Sequence, residues 1–150
     1  MVYEVREGDI LVSCDGRKLD LDRVHAFLTA SYWAEGVSRK TVERSIENSI
    51  PFGVYCDGEQ AGFARVISDL ASYAYLADVY IDEAFRGRGL AKLLMRAVMA
   101  HPELQGLRRW ILGTRDAHGL YRQFGFTELQ RPERWMEKAE PGLYEKETGQ

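Results

Sequence analysis

Hydrophobic and polar positions change period several times along the chain, and each change marks an element. Ile10, Leu11 and Val12 begin a short apolar run over residues 10–14, closed by the turn dipeptide Asp15-Gly16, which predicts a strand. Val24, Phe27 and Leu28 follow at helical spacing behind Asp20 and Asp22, either of which suits an N-cap. This helix is expected to end near Tyr32 or Trp33, before Gly36. Ser38-x-x-Thr41 opens a second helix through Val42 and Ile46, with Pro51 as its stop. Three β-rich runs come next, at residues 52–56, 61–67 and 72–81. The first two are joined by Asp57-Gly58, a hairpin signal.

Leu90, Leu93, Leu94, Ala97 and Val98 then form one apolar stripe, which predicts a helix over residues 90–100. Residues 110–113 read as a buried strand. Asp116 reads as the cap of a short helix to Phe124, with Gly125 as its stop. Residues 126–129 and 134–137 read as the last strands, and the polar tail beyond Pro141 as loose. This order predicts an α+β fold. Its sheet is central and mostly antiparallel, with helices on both faces and one parallel βαβ crossover between the strands at 72–81 and 110–113.

Composition narrows the classes. The chain has 150 residues, 45% hydrophobic and 29% charged, the balance of an ordinary globular domain. Its formal net charge of -3 gives no general attraction for nucleic acid, so no nucleic-acid partner is expected. No apolar run approaches the ~20 residues that span a bilayer, and the first residues lack the layout of a secretory signal. The expected location is cytoplasmic, with no membrane partner. Cys14 and Cys56 have neither CxxC spacing nor a histidine cluster, so they read as reduced thiols and no metal is expected.

The turn Arg86-Gly87-Arg88-Gly89 lies between a predicted strand and a predicted helix. Its glycines allow a tight turn and close approach of a ligand. The helix that follows presents unpaired N–H groups and a positive dipole end, which suit a pyrophosphate. Arg86, Arg88 and Lys92 add positive charge. No Gly-Lys-Ser/Thr follows, so this is not a Walker loop, and Lys92 stands where a GxGxxG fingerprint needs its third glycine.

Arg86-x-x-Gly89-x-Ala91, followed by Leu120-Tyr121-Arg122-Gln123-Phe124-Gly125-Phe126, resembles the GNAT superfamily of N-acetyltransferases in both motifs and in their separation. The resemblance covers residues 52–129 best. It implies a single N-acetyltransferase domain over residues 1–150 and transfer of an acetyl group from acetyl-CoA to a primary amine by direct attack. By the same resemblance, the backbone N–H groups of Gly87, Arg88, Gly89, Leu90 and Ala91, with Arg86 beside them, hold the pyrophosphate. The backbone of Val79, Tyr80 and Ile81 pairs with the pantetheine arm and supplies an oxyanion donor. Thr114 takes a position where the family often carries asparagine, and Ala117 lies nearby at the start of the following helix. Tyr121 is implied as the acid that protonates the departing thiolate, which suits a phenol protonated at neutral pH. A homodimer is also compatible with the resemblance.

The base stays open between Asp78 and Asp69. By two-residue alternation Asp78 shares a face with Leu76 and Tyr80, unless a bulge reverses the inference. The resemblance implies an acceptor groove beside the N-terminal helices, where Tyr32, Trp33, Asp69 and Tyr75 are candidate substrate contacts. Aromatics with nearby carboxylates suit a cationic amine. A polyamine, an amino acid, an aminoglycoside-like compound and a protein N-terminus all remain open. The alternative reading is an acyl-CoA-binding sensor that transfers nothing.

Overall fold

The computed structural model describes residues 2–148. Six strands form one sheet in sequence order: β1 (Glu4–Glu7), β2 (Ile10–Ser13), β3 (Ile50–Cys56), β4 (Glu59–Ser68), β5 (Tyr73–Ile81) and β6 (Arg109–Ile111). Every neighbouring pair is antiparallel except β5 and β6, which run parallel and are joined through α3 (Leu90–Ala100). That is the expected mostly antiparallel sheet with one parallel crossover. Helices α1 (Leu21–Ala30) and α2 (Arg39–Glu47) lie between β2 and β3. A short α4 (His118–Arg122) follows β6, and α5 (Leu143–Thr148) ends the described chain.

Two apolar clusters form, and β4 divides its side chains between them. Ala64 and Val66 pack with Phe52, Leu76, Leu93, Leu94 and Val98. Phe63 packs with Val24, Leu28 and Val42 of α1 and α2. A strand whose neighbouring residues are buried on opposite faces explains why 61–67 reads as a continuous apolar run. The stripe of α3 is buried as its spacing requires: Leu90, Leu93, Leu94, Ala97 and Val98 are all at most 4% exposed.

Local chemistry sets most boundaries. Asp20, rather than Asp22, caps α1 by accepting from the Arg23 N–H, and Ser38 caps α2 by accepting from the Thr41 N–H. α1 stops at Ala30, so Tyr32 and Trp33 fall in the connection beyond it rather than at the helix end. α2 stops at Glu47, and Pro51 lies inside β3, past Gly53, the last residue there that pairs with β2. There its missing N–H breaks no bond to β2.

Several expectations are corrected. Residues 4–7 form an edge strand that alternation missed, because only Val5 of its four residues is partly covered. Residues 126–129 and 134–137 are not strands. Pro132–Arg134 is a 3-10 turn, and Leu129 and Met136 are exposed, so no continuous apolar face is available to pair. Asp116 does not cap α4. The N-cap is Ala117, with no side-chain cap bond; its own N–H donates to Thr114 Oγ1 at 3.1 Å, and Asp116 sits on the surface near Arg115. α4 ends at Arg122, and Gly125 at φ 92° turns the chain out as its stop, with the Phe126 N–H returning to the Tyr121 carbonyl. The tail is not wholly loose: α5 brings Tyr144 against the α1–α2 cluster. Among the described residues no helix is long and apolar enough to cross a membrane.

Leu94 is fully buried at the centre of α3. Leu94→Ala is expected to lower the unfolding free energy by about 2–5 kcal/mol in urea denaturation. A loss below ~1 kcal/mol would contradict this packing.

Candidate active site

Parallel pairing between β5 and β6 covers only Tyr73, Tyr75 and the residue between them, opposite residues 109–111. β5 runs on to Ile81 while the chain after Ile111 turns away toward α4. From Leu76 onward, the edge of β5 that faces β6 therefore meets no strand among the described residues. An extended ligand can take the free hydrogen-bonding groups of that edge.

At the far end of this edge comes the glycine turn. Gly87 and Gly89 have φ of 82° and 75°, a region that glycine enters at little cost. The first helical bond of α3 runs from the Leu93 N–H to the Gly89 carbonyl at 3.2 Å, so the N–H groups of Leu90, Ala91 and Lys92 precede the ladder. Leu90 anchors the turn through its side chain, which is 2% exposed. Arg86 donates from Nε to the Ile81 carbonyl at 3.1 Å, and the Arg88 guanidinium lies 5.5 Å from the Phe85 ring. Both arginines are exposed. The turn thus offers free N–H groups, a helix dipole and three cations (Lys92 included) to an anion.

A cavity of about 550 Å³ opens beside the free edge. Its walls are Tyr32 and Trp33 after α1, Val37 and Val42, Arg65 of β4, Tyr75 to Val79 of β5, and Thr114, Arg115, Ala117 and Tyr121 around α4. A larger hollow of about 660 Å³ lies at the outer edge of β6, among Arg108, Arg131 and Trp135. It includes neither Tyr121 nor any residue of β5, whereas the smaller cavity includes both and is the candidate site.

Asp78 stands at a bulge. Arg65 pairs with Ala77 and Phe63 with Tyr80, so Ala64 alone faces both Asp78 and Val79. Asp78 itself has φ of 55°, a left-handed conformation that aspartate tolerates better than most residues. The bulge breaks the alternation: Leu76 packs toward α3, whereas Tyr80 packs toward α1. Asp78 turns to the α1 side. Its Oδ1 accepts from Trp33 Nε1 at 2.8 Å, and its Oδ2 accepts from Arg65 Nε at 2.9 Å. The shared-face expectation therefore holds with Tyr80 and is corrected for Leu76.

The other candidates divide. Tyr121 is 8% exposed, packs edge-on against Phe126 and lines the cavity. Burial, reinforced by Tyr32, pushes its pKa up to about 12, so the hydroxyl stays protonated at neutral pH. Thr114 lines the cavity, and its hydroxyl accepts from the Ala117 N–H just before α4. The Tyr80 ring is not at the cavity. It stacks 3.7 Å from Phe27, and burial raises its pKa well above the usual range, so only its backbone belongs to the β5 edge. Asp69 lies at the β4–β5 turn, outside the cavity wall. It accepts from the Ala71, Ser72 and Tyr73 N–H groups and from the Ser72 hydroxyl. Led by the Ser72 bonds, these hold its pKa well below the usual carboxylate range.

Two cavity residues escaped the sequence reading. Arg65 sits between Ala64 and Val66 in a strand and carries no local signal. Arg115 donates its N–H to Tyr32 Oη at 3.1 Å, and its guanidinium lies 4.0 Å from the Tyr32 ring centroid. Among the described residues, no group of three or more His, Cys, Asp or Glu is placed to hold a metal.

The sequence profile of the acetyltransferase (GNAT) family matches residues 21–126. A candidate acetyltransferase of the GNAT family from Xanthomonas campestris pv. campestris has a crystal structure similar to this one. Its TM-score is 0.88 at 50% identity, over 90% of this chain and 96% of that one. A candidate acetyltransferase of Gibberella zeae is 30% identical over 138 residues, 76% of each chain. A candidate acetyltransferase of Clostridium acetobutylicum, crystallised with acetyl-CoA, shares the fold with a TM-score of 0.61 at 11% identity, over 93% and 96% of the two chains.

The depressed pKa of Asp69 fixes the sign of a pH effect. A carboxylate held below its unfolded value stabilises the fold above about pH 4 and loses that contribution as pH falls. Asp69→Ala is expected to lower Tm at neutral pH, with the gap from the unmodified chain closing below about pH 4. A gap independent of pH would refute the role given to the carboxylate charge.

Proposed function

The chain belongs to the acetyltransferase (GNAT) family, and from that premise we propose an N-acetyltransferase that passes the acetyl group of acetyl-CoA to a primary amine. The observation that carries this reading is the continuity of three features. The anion-binding turn, the unpaired edge of β5 and the cavity containing Tyr121 adjoin one another.

The residues fit the ligand. Gly87 and Gly89 take positive φ and the N–H groups before Leu93 are free of the helix ladder, so a pyrophosphate is held by the backbone of Gly87, Arg88, Gly89, Leu90 and Ala91 with Arg86 beside it. The edge of Val79, Tyr80 and Ile81 takes the pantetheine arm as an added strand, with Thr114 and Ala117 on the opposite bank. When bound, acetyl-CoA supplies an acetyl thioester, whose C–S bond breaks as the C–N bond to the amine forms. Tyr121 Oη gives its proton to the departing sulfur. A backbone N–H of the Tyr80–Ile81 stretch faces the carbonyl oxygen as it gains negative charge.

Neither Asp78 nor Asp69 serves as the base. Asp69 serves its turn. Asp78 is engaged through both oxygens and positions Trp33 and Arg65, and the attacking amine loses its proton to water in the open cavity. Tyr32, Trp33 and Tyr75 line the acceptor side.

The test follows thiol release from acetyl-CoA with an amine substrate. Tyr121→Phe is expected to lower kcat by about a hundredfold or more, the scale of general-acid catalysis, with the Kd for acetyl-CoA unchanged. An unchanged kcat would remove Tyr121 from the chemistry, and absence of turnover on any amine would contradict the transferase reading.

A further inference from the structure

Resting on that transferase reading, we propose that the acceptor is a small amine that also carries a carboxylate, and that Arg65 binds this carboxylate inside the cavity. Among the described residues, every other arginine in an ion pair has a side chain at least 35% exposed, whereas that of Arg65 is 16% exposed. Only its Nε is engaged, by Asp78 Oδ2 at 2.9 Å. Its two terminal nitrogens have no protein partner among the described residues, yet they are not sealed in the core, and Arg65 lines the cavity. Four N–H donors of a largely buried guanidinium thus look onto open volume. The paired terminal nitrogens are reachable from the cavity, their direction is set at Nε, and they match the two oxygens of a carboxylate.

The neighbours hold that fork in place. Asp78 fixes the Nε side and is itself fixed by Trp33, so a ligand meets a guanidinium that is already oriented. Charge selects the ligand's valence. The charged residues lining the cavity are Arg65, Asp78, Arg115 and Asp116, and they cancel. Asp78 lies on Arg65, and Asp116 lies 3.5 Å from Arg115. A polyamine finds no uncommitted carboxylate there, and a phosphate dianion sets excess negative charge beside Asp78. A single carboxylate paired with a single amine is neutral overall and matches the site. The remaining lining, including Val37, Val42 and Tyr75, suits an apolar body between or beside the two groups. Arg65 pairs across the sheet with Ala77, two residues from the Val79 edge, so the carboxylate subsite lies close to the proposed place of transfer.

The experiment compares leucine, leucinamide and isoamylamine, and the matching phenylalanine trio, by thiol release from acetyl-CoA. Titration calorimetry of each compound into the protein saturated with CoA gives a second readout. The amide's amine is the weaker base and is more fully neutral near neutral pH. Without carboxylate recognition, therefore, the amide reacts better. The inference predicts that the acids exceed amides and plain amines at least about tenfold in kcat/KM and in affinity. Arg65→Gln is expected to erase that preference, and Arg65→Lys to keep part of it, with acetyl-CoA binding retained in both as the check on folding. Turnover of amides or plain amines as good as that of the acids, or a preference that survives Arg65→Gln, would overturn the carboxylate subsite and leave the transferase reading intact. No turnover on any amine, with no acid binding by calorimetry, would overturn both.

Discussion

The pairing of β5 with β6 ends after three residues, and the site depends on that interruption. Had the two strands stayed paired to Ile81, the edge of Val79, Tyr80 and Ile81 would be saturated and the cavity closed by sheet. Two features hold the strands apart. The bulge at Asp78 changes the course of β5 midway, and the chain leaving Ile111 turns off into α4, with Thr114 accepting from the Ala117 N–H on the way. The α3 helix then delivers its N-terminus to the end of the open edge, because it is the crossover that the parallel pair requires.

The bulge also builds the acceptor side. By turning Asp78 toward α1, it places a carboxylate where Arg65 and Trp33 converge. A partly buried ion pair of this kind adds little net stability, since desolvation offsets much of the attraction. Its effect is on geometry: it sets the direction of the guanidinium and pins an indole that would otherwise be mobile beyond the end of α1. The same wall carries Tyr32 under the Arg115 guanidinium, so aromatic and cationic groups alternate around the cavity.

Much of the fold was legible because its signals are local. The α3 stripe, the Ser38 cap, the Asp57-Gly58 turn and the Arg86–Ala91 and Leu120–Phe126 motifs each act within a few residues. What was hidden acts across the sheet. Strict alternation put Asp78 with Leu76, and nothing in the neighbouring residues announced a positive φ that would part them. Arg65 looked like any arginine in a strand, since its partner lies 13 residues away and becomes a neighbour only through the bulged register. Asp69 carried the right chemistry for a base, but three backbone N–H groups claim it at its own turn. The edge strand at Glu4–Glu7 and the irregular stretch after Gly125 were misread for one reason: neither has one consistently buried face, so neither pattern of polarity reports the backbone.

Cofactor binding rests on the turn from Arg86 to Ala91, which is proposed to hold the pyrophosphate of CoA. Calorimetric titration of acetyl-CoA into the full chain and into Gly89→Val tests it. The variant places a β-branched residue at φ 75°, where the helix-opening N–H groups lose their aim. Saturable binding by the unmodified chain, weakened at least about tenfold in a variant that keeps its circular dichroism spectrum, is the predicted result. No binding by the unmodified chain, or equal binding by the folded variant, would contradict it.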